Sequence, residues 1–531
     1  MSLFTLSRRG VLISGAGLLT ACATTSTGGE NPVVETTAGS VRGFTEEGVK
    51  VFKGVRYGAP TKRFQRPEAP TPWAGVVDAL DYGTSSPQMS GGAGNRLLGG
   101  AYRSGERRVE GGEDCLFLNV WTPAIDNRRR PVMFWMHGGG FTTGSGSSPW
   151  YDGVRQAQKN DMVVVTINHR LNVFGYTYLN DLTRDDRFAD AGNVGSLDCV
   201  LALEWVRDNI ANFGGDPNRV MIHGQSGGGA KTSVMLAMES GAGLYHRAVV
   251  QSGSSLTMTT PEEGARRARN LMNVLGLEND VEALASMPYE DLERATEQAG
   301  AYGPVVDGRS LIRHPFEPNA PAVSADIPVM IGTTRTEQSL FMGLQDGITE
   351  LTDAQLRQRI ANTAPDGEAD NVIAMYRSIY PGSRNDELLY MITTDSGFFT
   401  SSTIQAARKA AQPGAPAYYY QFYWETPVDG GRFFSPHAAE IPFVFDTLRY
   451  AQSLNGVVTP QSQALADQMS TVWANFARNG VPTAPGLPEW PEYDTSTRPT
   501  MIFDVDSRIE NDPRERQRRL FTSYREAAAR A

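Results

Sequence analysis

The chain has 531 residues, of which 20% are charged, and its formal net charge is −10. This negative balance disfavours a nucleic-acid partner. The usual length prior allows about three domains, and three cysteines in so long a chain imply no disulfide framework.

The first element along the chain is a short apolar run behind two arginines. Arg8 and Arg9 precede an apolar stretch that reaches Leu19, and Cys22 closes a Leu-Thr-Ala-Cys sequence. The stretch is too short to cross a bilayer as a permanent helix. The pattern resembles a twin-arginine export signal with a lipobox, and a disordered basic start is the alternative.

An export signal at the N-terminus would divide the chain into three parts. We predict an export signal over residues 1–21, a flexible tether over 22–32 and a single large domain over 33–531. Lipidation of Cys22 would attach the protein to an envelope membrane, and without it the exported bacterial protein would be periplasmic. No other membrane contact is expected.

A glycine-rich string follows a strand-like run at residues 132–136. Residues 137–141 read HGGGF, which also fits an ordinary glycine-rich turn. Amides without side chains are useful because a tetrahedral oxyanion needs preorganised N–H donors, each worth about 3 kcal/mol of barrier. His137 is predicted to orient this loop rather than to act as a base.

A second string, GQSGG at residues 224–228, follows a strand-like run at 220–223 and precedes a helix-like run at 230–236. Strand, sharp turn and helix form the context that a nucleophile elbow requires, with Ser226 as the nucleophile. A lone G-x-S-x-G is a weak signal, and its plain alternative is a flexible loop. The pairing of the two strings favours acyl transfer.

The remaining elements alternate between strand-like and helix-like runs, as in a mostly parallel sheet covered by helices. Strand-like runs include 163–167, 249–251 and 418–422, and helix-like runs at 261–275 and 281–300 are candidates for part of a cap. The basic run 514–519 is predicted to be a solvated face of a terminal helix.

Further motifs flank the two glycine-rich strings. They read EDCLFLNV at 113–120, TINHRL at 166–171, NVGSLD at 193–198, FGGDP at 213–217, GTTRTE at 332–337 and PH at 436–437. Together they resemble the type B carboxylesterase and cholinesterase family of α/β-hydrolases over most of the chain. The resemblance implies an α/β-hydrolase fold, with helices on both faces of a mostly parallel sheet and helical cap insertions.

The resemblance also implies a catalytic triad. It assigns Ser226 as nucleophile, Glu337 as acid and His437 as base, and their chain order is the one found in α/β-hydrolases. By residue type alone, Glu337 would be a solvated charge and His437 a structural histidine. The amides that the resemblance places around the oxyanion belong to Gly139, Gly140 and Gly227.

The chemistry implied is serine carboxylesterase chemistry on a small-molecule ester, with an acyl-enzyme intermediate and without metal or organic cofactor. His437 must be neutral to act as base. We therefore predict that the rate falls as the pH drops through the region of roughly 6 to 7.

Three departures from the family pattern bear on the substrate. Gln225 stands where relatives often carry glutamate, and Tyr102 is the only aromatic residue in the loop 87–112. Recognition of choline by a cation–π contact is therefore poorly supported. Ser86 stands where the family places a cysteine partner for Cys115.

The substrate pocket is predicted from aromatic residues near the motifs, although such residues are more often simply core. The candidates are Phe141, Phe398 and Phe399, together with Gln225. Two other functions stay open: a lipase or polyesterase acting on insoluble esters, and a non-catalytic binding protein of the same fold. Acyl length, alcohol preference and oligomeric state are not determined by the sequence.

Overall fold

The computed structural model describes residues 31–88, 96–98 and 111–530. The predicted export signal, Cys22 and Tyr102 lie outside the described residues, as does most of the predicted tether. Described residues from Pro32 onward belong to one compact unit. None of the helices in these ranges is long and apolar enough to cross a membrane.

The strands of the described residues fall into a small sheet and a large one. They are β1 (Val33–Thr36), β2 (Gly39–Arg42), β3 (Phe44–Glu46), β4 (Val49–Arg56), β5 (Val76–Asp78), β6 (Phe117–Thr122), β7 (Arg130–Met136), β8 (Val163–Ile167), β9 (Gly215–Gln225), β10 (Arg247–Gln251), β11 (Val329–Thr334), β12 (Ala417–Phe422), β13 (Pro499–Phe503) and β14 (Arg508–Asn511).

The large sheet has eleven strands in the order β14-β13-β12-β11-β10-β9-β7-β8-β6-β4-β3, while β1, β2 and β5 form the small sheet. Neighbouring strands from β8 through β7 and β9 to β13 run parallel, whereas the strands at both edges pair antiparallel. Four of the central strands, β7, β8, β11 and β12, are buried along their whole length. Uninterrupted burial is typical of a parallel sheet with helices on both faces, so the predicted α/β-hydrolase class is confirmed.

The helices lie mostly between successive strands. They are α1 (Val154–Asn160), α2 (Asn172–Tyr176), α3 (Val194–Asn209), α4 (Gly227–Met235), α5 (Pro261–Leu275), α6 (Val281–Ser286), α7 (Tyr289–Ala299), α8 (Ser339–Met342), α9 (Asp353–Ile360), α10 (Ala369–Ile379), α11 (Asn385–Thr394), α12 (Thr400–Ala410), α13 (Ile441–Phe445), α14 (Gln452–Asn455), α15 (Pro460–Asn479) and α16 (Glu515–Arg530).

Two predictions about helices need correction. The run 281–300 is not one helix but α6 followed by α7, because Pro288 precedes α7 and disfavours helical backbone at Met287. The basic run 514–519 is not uniformly solvated, since Arg514 is buried and forms an ion pair with buried Asp395. Burial raises the pKa of Asp395 to about 6.

The sheet order decides where the motifs meet. The strands β7, β9, β10, β11 and β12 are parallel neighbours, so their carboxyl ends lie at one edge of the sheet. Ligand sites of open α/β sheets lie at that edge. The glycine strings and the acid and histidine motifs all follow strands of this set.

Candidate active site

The turn between β9 and α4 holds Ser226 in a strained backbone conformation. Its φ is 59° and its ψ is −123°, a combination that costs a non-glycine residue about 1–3 kcal/mol. The strain is held in place by neighbouring strands, since the Ser226 amide donates to the Gln251 carbonyl at 2.9 Å. This geometry is that of a nucleophile elbow.

The elbow packs against the glycine loop without room for any side chain between them. A Cβ atom on Gly228 would lie 2.0 Å from the Met136 carbonyl oxygen, and one on Gly227 would lie 2.4 Å from the Gly140 nitrogen. Both obstacles are backbone atoms. The close approach therefore needs glycine at these positions and brings the Gly227 and Gly140 amides together.

The loop 137–141 packs against the serine elbow. Gly139 and Gly140 have φ values of 86° and 63°, which glycine adopts without strain. The Gly139 carbonyl accepts hydrogen bonds from the Thr142 and Thr143 amides at 3.3 and 3.0 Å. Because a trans peptide points its C=O and N–H in opposite directions, the Gly140 N–H faces away from these partners. Among the described residues, the Gly139, Gly140 and Gly227 amides have no hydrogen-bond acceptor.

Glu337 and His437 meet across the ends of β11 and β12. His437 Nδ1 donates to Glu337 Oε2 at 2.5 Å, across a separation of 100 residues. The other carboxylate oxygen accepts from the Thr334 amide at 2.8 Å. Both side chains are buried, with 0% of Glu337 and 3% of His437 exposed. The carboxylate thus holds the imidazole with its proton on Nδ1, which leaves Nε2 free to accept a proton.

The side-chain amide of Gln225 lies against the imidazole of His437. Its Nε2 atom is 3.3 Å from His437 Nδ1 and 3.2 Å from Nε2. Nearly equal distances to both ring nitrogens place the amide over the face of the ring. No hydrogen bond joins Ser226 Oγ to His437 within the described part of the chain; catalytic hydrogen bonds are often long in ligand-free enzymes.

A second carboxyl group, Glu440, is buried beside this pair. Its Oε1 accepts from Gln251 Nε2 at 3.5 Å, and Gln251 Oε1 in turn accepts from Trp473 Nε1 at 3.1 Å. Burial, followed by the charge of Glu337, raises the pKa of Glu440 to about 8. Glu440 follows the histidine motif by three residues, and its burial is not visible in the sequence.

Aromatic rings flank the imidazole. The ring centroids of Phe341 and Phe398 lie 5.1 and 5.2 Å from that of His437, and Phe341 is 52% exposed. Phe399 is buried, with the Arg514 guanidinium 4.8 Å from its ring. Phe141 contacts Tyr176 edge to face at 5.3 Å. Of the predicted pocket residues, Gln225 and Phe398 therefore contact His437 directly, and Phe341 joins them.

His137 lies under the loop rather than at the serine. Its Nδ1 is 2.9 Å from the Gly138 carbonyl, and its ring stacks on that of His169 at 5.0 Å. Burial lowers the pKa of both imidazoles, so both rings are neutral. This placement agrees with a role in orienting the loop.

The two cysteines of the described residues and Ser86 lie in the protein interior. Cys115 and Cys199 are buried free thiols, and the Ser86 hydroxyl accepts from the Leu171 amide at 3.1 Å. No group of three or more His, Cys, Asp or Glu side chains is arranged to hold a metal ion in the described ranges.

Comparison with known proteins gives one consistent result. A family model described as the carboxylesterase family matches residues 30–521. A para-nitrobenzyl esterase of Bacillus subtilis is 35% identical over 92% of this chain and 99% of that protein. A phenmedipham hydrolase of Pseudarthrobacter oxydans is 33% identical over 87% of this chain and 93% of that protein.

Solved structures of esterases are also similar to this chain. A carboxylesterase of Geobacillus stearothermophilus superposes with a TM-score of 0.80 at 38% identity and covers 92% of this chain and 99% of its own. An esterase of Clostridium hathewayi, described as able to hydrolyse aliphatic aromatic polyesters, superposes with a TM-score of 0.80 at 33% identity, over 93% of this chain and 98% of its own.

Proposed function

The chain belongs to the carboxylesterase family and is a carboxylic ester hydrolase, and from this premise we propose that it acts through an acyl-enzyme on Ser226. The observation that carries the proposal is the convergence of three groups at one sheet edge. These are the strained serine elbow, the unpartnered amides around it, and the buried Glu337–His437 pair. As an enzyme, the chain is not the non-catalytic binding protein considered as an alternative.

In the proposed first step, Ser226 Oγ attacks the ester carbonyl carbon while His437 Nε2 takes the hydroxyl proton. The carbonyl oxygen becomes an oxyanion, which accepts hydrogen bonds from the Gly139, Gly140 and Gly227 amides. Glu337 stabilises the imidazolium that forms. Collapse of the tetrahedral intermediate breaks the ester C–O bond, and the leaving alcohol takes the proton from His437.

The second step reverses the roles of the same groups. His437 removes a proton from a water molecule, whose oxygen attacks the acyl carbon of the Ser226 ester. Collapse of the second intermediate releases the carboxylic acid and returns the proton to Ser226. No group beyond the described side chains, the loop amides and water is needed to balance either step.

A covalent label tests this proposal directly. The chain lacking residues 1–21 is treated with a fluorophosphonate, and the labelled peptide is identified by mass spectrometry. We expect one adduct, on Ser226, and a Ser226→Ala variant that folds normally but loses roughly five orders of magnitude in kcat/KM for a short-chain nitrophenyl ester. Ser396→Ala is the matched control, because it removes a hydroxyl that donates to the Thr393 carbonyl. Retained turnover without Ser226 would contradict the proposal.

A second candidate function is hydrolysis of insoluble esters. The half-exposed ring of Phe341 beside His437 offers an apolar, accessible contact for a bulky ester, and the Clostridium relative is described as acting on polyesters. Release of soluble acid from an aliphatic–aromatic polyester film, compared with hydrolysis of a soluble terephthalate diester, decides this. Activity on the soluble ester alone would exclude the candidate.

We also propose that the protein is exported and attached to an envelope membrane by a lipid on Cys22. The support is the Arg8-Arg9 pair, the short apolar stretch and the cysteine that ends it. Metabolic labelling with an alkyne fatty acid is expected to mark the full chain and to leave Cys22→Ser unmarked. A lysine pair in place of the arginines should block export, and export of that variant would argue against the twin-arginine route.

A further inference from the structure

Helix α4, which follows the serine, carries one charged residue among small and apolar ones. This residue, Lys231, is only 2% exposed. Its Nζ atom donates to the His137 carbonyl at 2.9 Å and lies 5.8 Å from the centre of the Phe141 ring. Lys231 therefore contacts the first and the last residue of the loop 137–141. Between these two residues lie Gly139 and Gly140, whose backbone amides are the proposed oxyanion donors.

The position of the His137 carbonyl supports this view of the loop. A Cβ atom on Gly228 would lie 3.1 Å from that oxygen, so the carbonyl faces the first turn of α4. Lys231 reaches the same oxygen from the next turn. The hydrogen bond from Lys231 to the His137 carbonyl therefore joins helix α4 to the first residue of the loop 137–141.

Lys231 has no carboxylate partner among the described residues. The titratable groups that face it are His137 from the loop, His169 after β8 and Cys199 on α3. Burial lowers the pKa of both imidazoles and raises that of the Cys199 thiol to about 12, so all three are neutral at pH 7. Behind them, Arg170 and Asp198 neutralise each other in a buried ion pair.

An unpaired buried ammonium group is expensive for a folded protein. The loss of hydration disfavours the charged form, and burial accordingly lowers the pKa of Lys231 to about 7. An apolar side chain of the same length, such as methionine, would avoid it. A lysine at this place needs a reason other than packing.

We propose that Lys231 is a positioning residue for the oxyanion hole, whose amine fixes the loop 137–141 against α4 and whose positive charge favours the developing oxyanion. The proposal rests on the acyl-enzyme chemistry of Ser226. The amine acts through the loop, since it bonds to the His137 carbonyl. It also acts through space, since no carboxylate of the described ranges pairs with it. Electrostatic stabilisation of this kind is strong in a water-poor site.

Two substitutions separate the hydrogen bond from the charge. Lys231→Met removes both, and Lys231→Gln keeps a donor without charge. For Lys231→Met we expect kcat on a soluble nitrophenyl ester to fall roughly tenfold or more, with KM changed less than about threefold. Binding of a trifluoromethyl ketone, which forms a tetrahedral oxyanion on the serine, should weaken by the same factor as kcat. The unfolding temperature should not fall, because Lys231 has a single hydrogen bond and no carboxylate partner among the described residues, so methionine gives up little that offsets the burial of the ammonium.

Lys409→Met is the matched control. Lys409 is also buried, but its amine donates to the Ser324 and Ala325 carbonyls and to Gln412, away from the serine. This variant should lower the unfolding temperature and leave kcat of the folded enzyme unchanged. A merely structural role for Lys231 predicts the same pattern for Lys231→Met, and that pattern would overturn the proposal.

The pH dependence tests the charge. We divide kcat of the unmodified enzyme by kcat of Lys231→Gln, which removes the pH dependence that the two proteins have in common. We expect the ratio to fall as the pH rises from 6 to 9, because Lys231 loses its proton across its pKa of about 7. A ratio independent of pH overturns the proposed role of the charge. Failure of fluorophosphonate to label Ser226 would instead refute the acyl-enzyme mechanism itself, so the two failures are distinguishable.

Discussion

The two halves of the candidate active site are built from different kinds of contact. On the nucleophile side, the loop 137–141 and the elbow at Ser226 meet through backbone atoms at the closest possible distance. On the imidazole side, Glu337, His437 and Glu440 are held by side-chain hydrogen bonds and flanked by aromatic rings. The first half is therefore sensitive to added atoms, and the second to added or removed charge.

The largest effect should come from adding one methyl group to the nucleophile side. In Gly228→Ala the new Cβ would meet the Met136 carbonyl oxygen at 2.0 Å, and neither backbone can move without opening the sheet edge. We expect a loss of roughly 3 kcal/mol in the free energy of unfolding, together with nearly all esterase activity. Urea unfolding and initial rates measure both.

Gly397→Ala is the matched control on the imidazole side. Gly397 precedes Phe398, and a Cβ there would meet nothing within 4 Å. Stability should stay within about 1 kcal/mol of the unmodified protein, with activity preserved. Equal losses in the two variants would show that the proposed difference between the halves is absent.

The next effect concerns the protonation of Glu440. In the folded chain Glu440 keeps its proton up to a pKa of about 8, whereas in the unfolded chain it releases the proton near its ordinary value of 4.5. The free energy of unfolding should therefore fall as the pH rises from about 4.5 to about 8. Glu440→Gln removes this titration.

Unfolding midpoints in urea at pH 5 and pH 8 test that prediction. Relative to the unmodified protein, Glu440→Gln should be more stable at pH 8 than at pH 5, by roughly 3 to 4 kcal/mol. If the two proteins differ in stability by the same amount at pH 5 and at pH 8, then Glu440 is ionised in the folded protein over this whole pH range.

The smallest expected effect comes from placing a negative charge over the imidazole. Because the Gln225 amide lies 3.2–3.3 Å from both ring nitrogens, Gln225→Glu favours the imidazolium form of His437. The acid limb of the pH–rate profile should move to higher pH by roughly one unit, with the plateau rate little changed. An unmoved limb would show that residue 225 does not face His437 in solution.

Much of the site was predictable from local patterns. The strings HGGGF and GQSGG follow apolar runs, and both runs proved to be parallel strands: β7 ends directly before its string, and β9 ends at Gln225, inside its own. The order of strand, glycine–serine string and helix favours a sharp turn at Ser226, as in a nucleophile elbow. The resemblance to a known family supplied Glu337 and His437, which no local pattern would have selected.

Other features were decided only by the tertiary structure. Gln225 and His437 are 212 residues apart, and they meet because β9, β10, β11 and β12 are adjacent in the sheet. Arg514, read as part of a solvated basic run, is buried against Asp395. Lys231 and Glu440 likewise look like ordinary charged residues in the sequence.

The physical reason is common to these cases. The backbone conformation of a residue depends largely on the residues next to it along the chain, so local sequence patterns predict turns and strands. Burial and charge environment depend on which distant elements are packed together, and these set the pKa of Glu440 and of Lys231 through desolvation. The sequence alone determined the candidate chemistry at Ser226, and the packing of the folded chain decided which charged groups surround it.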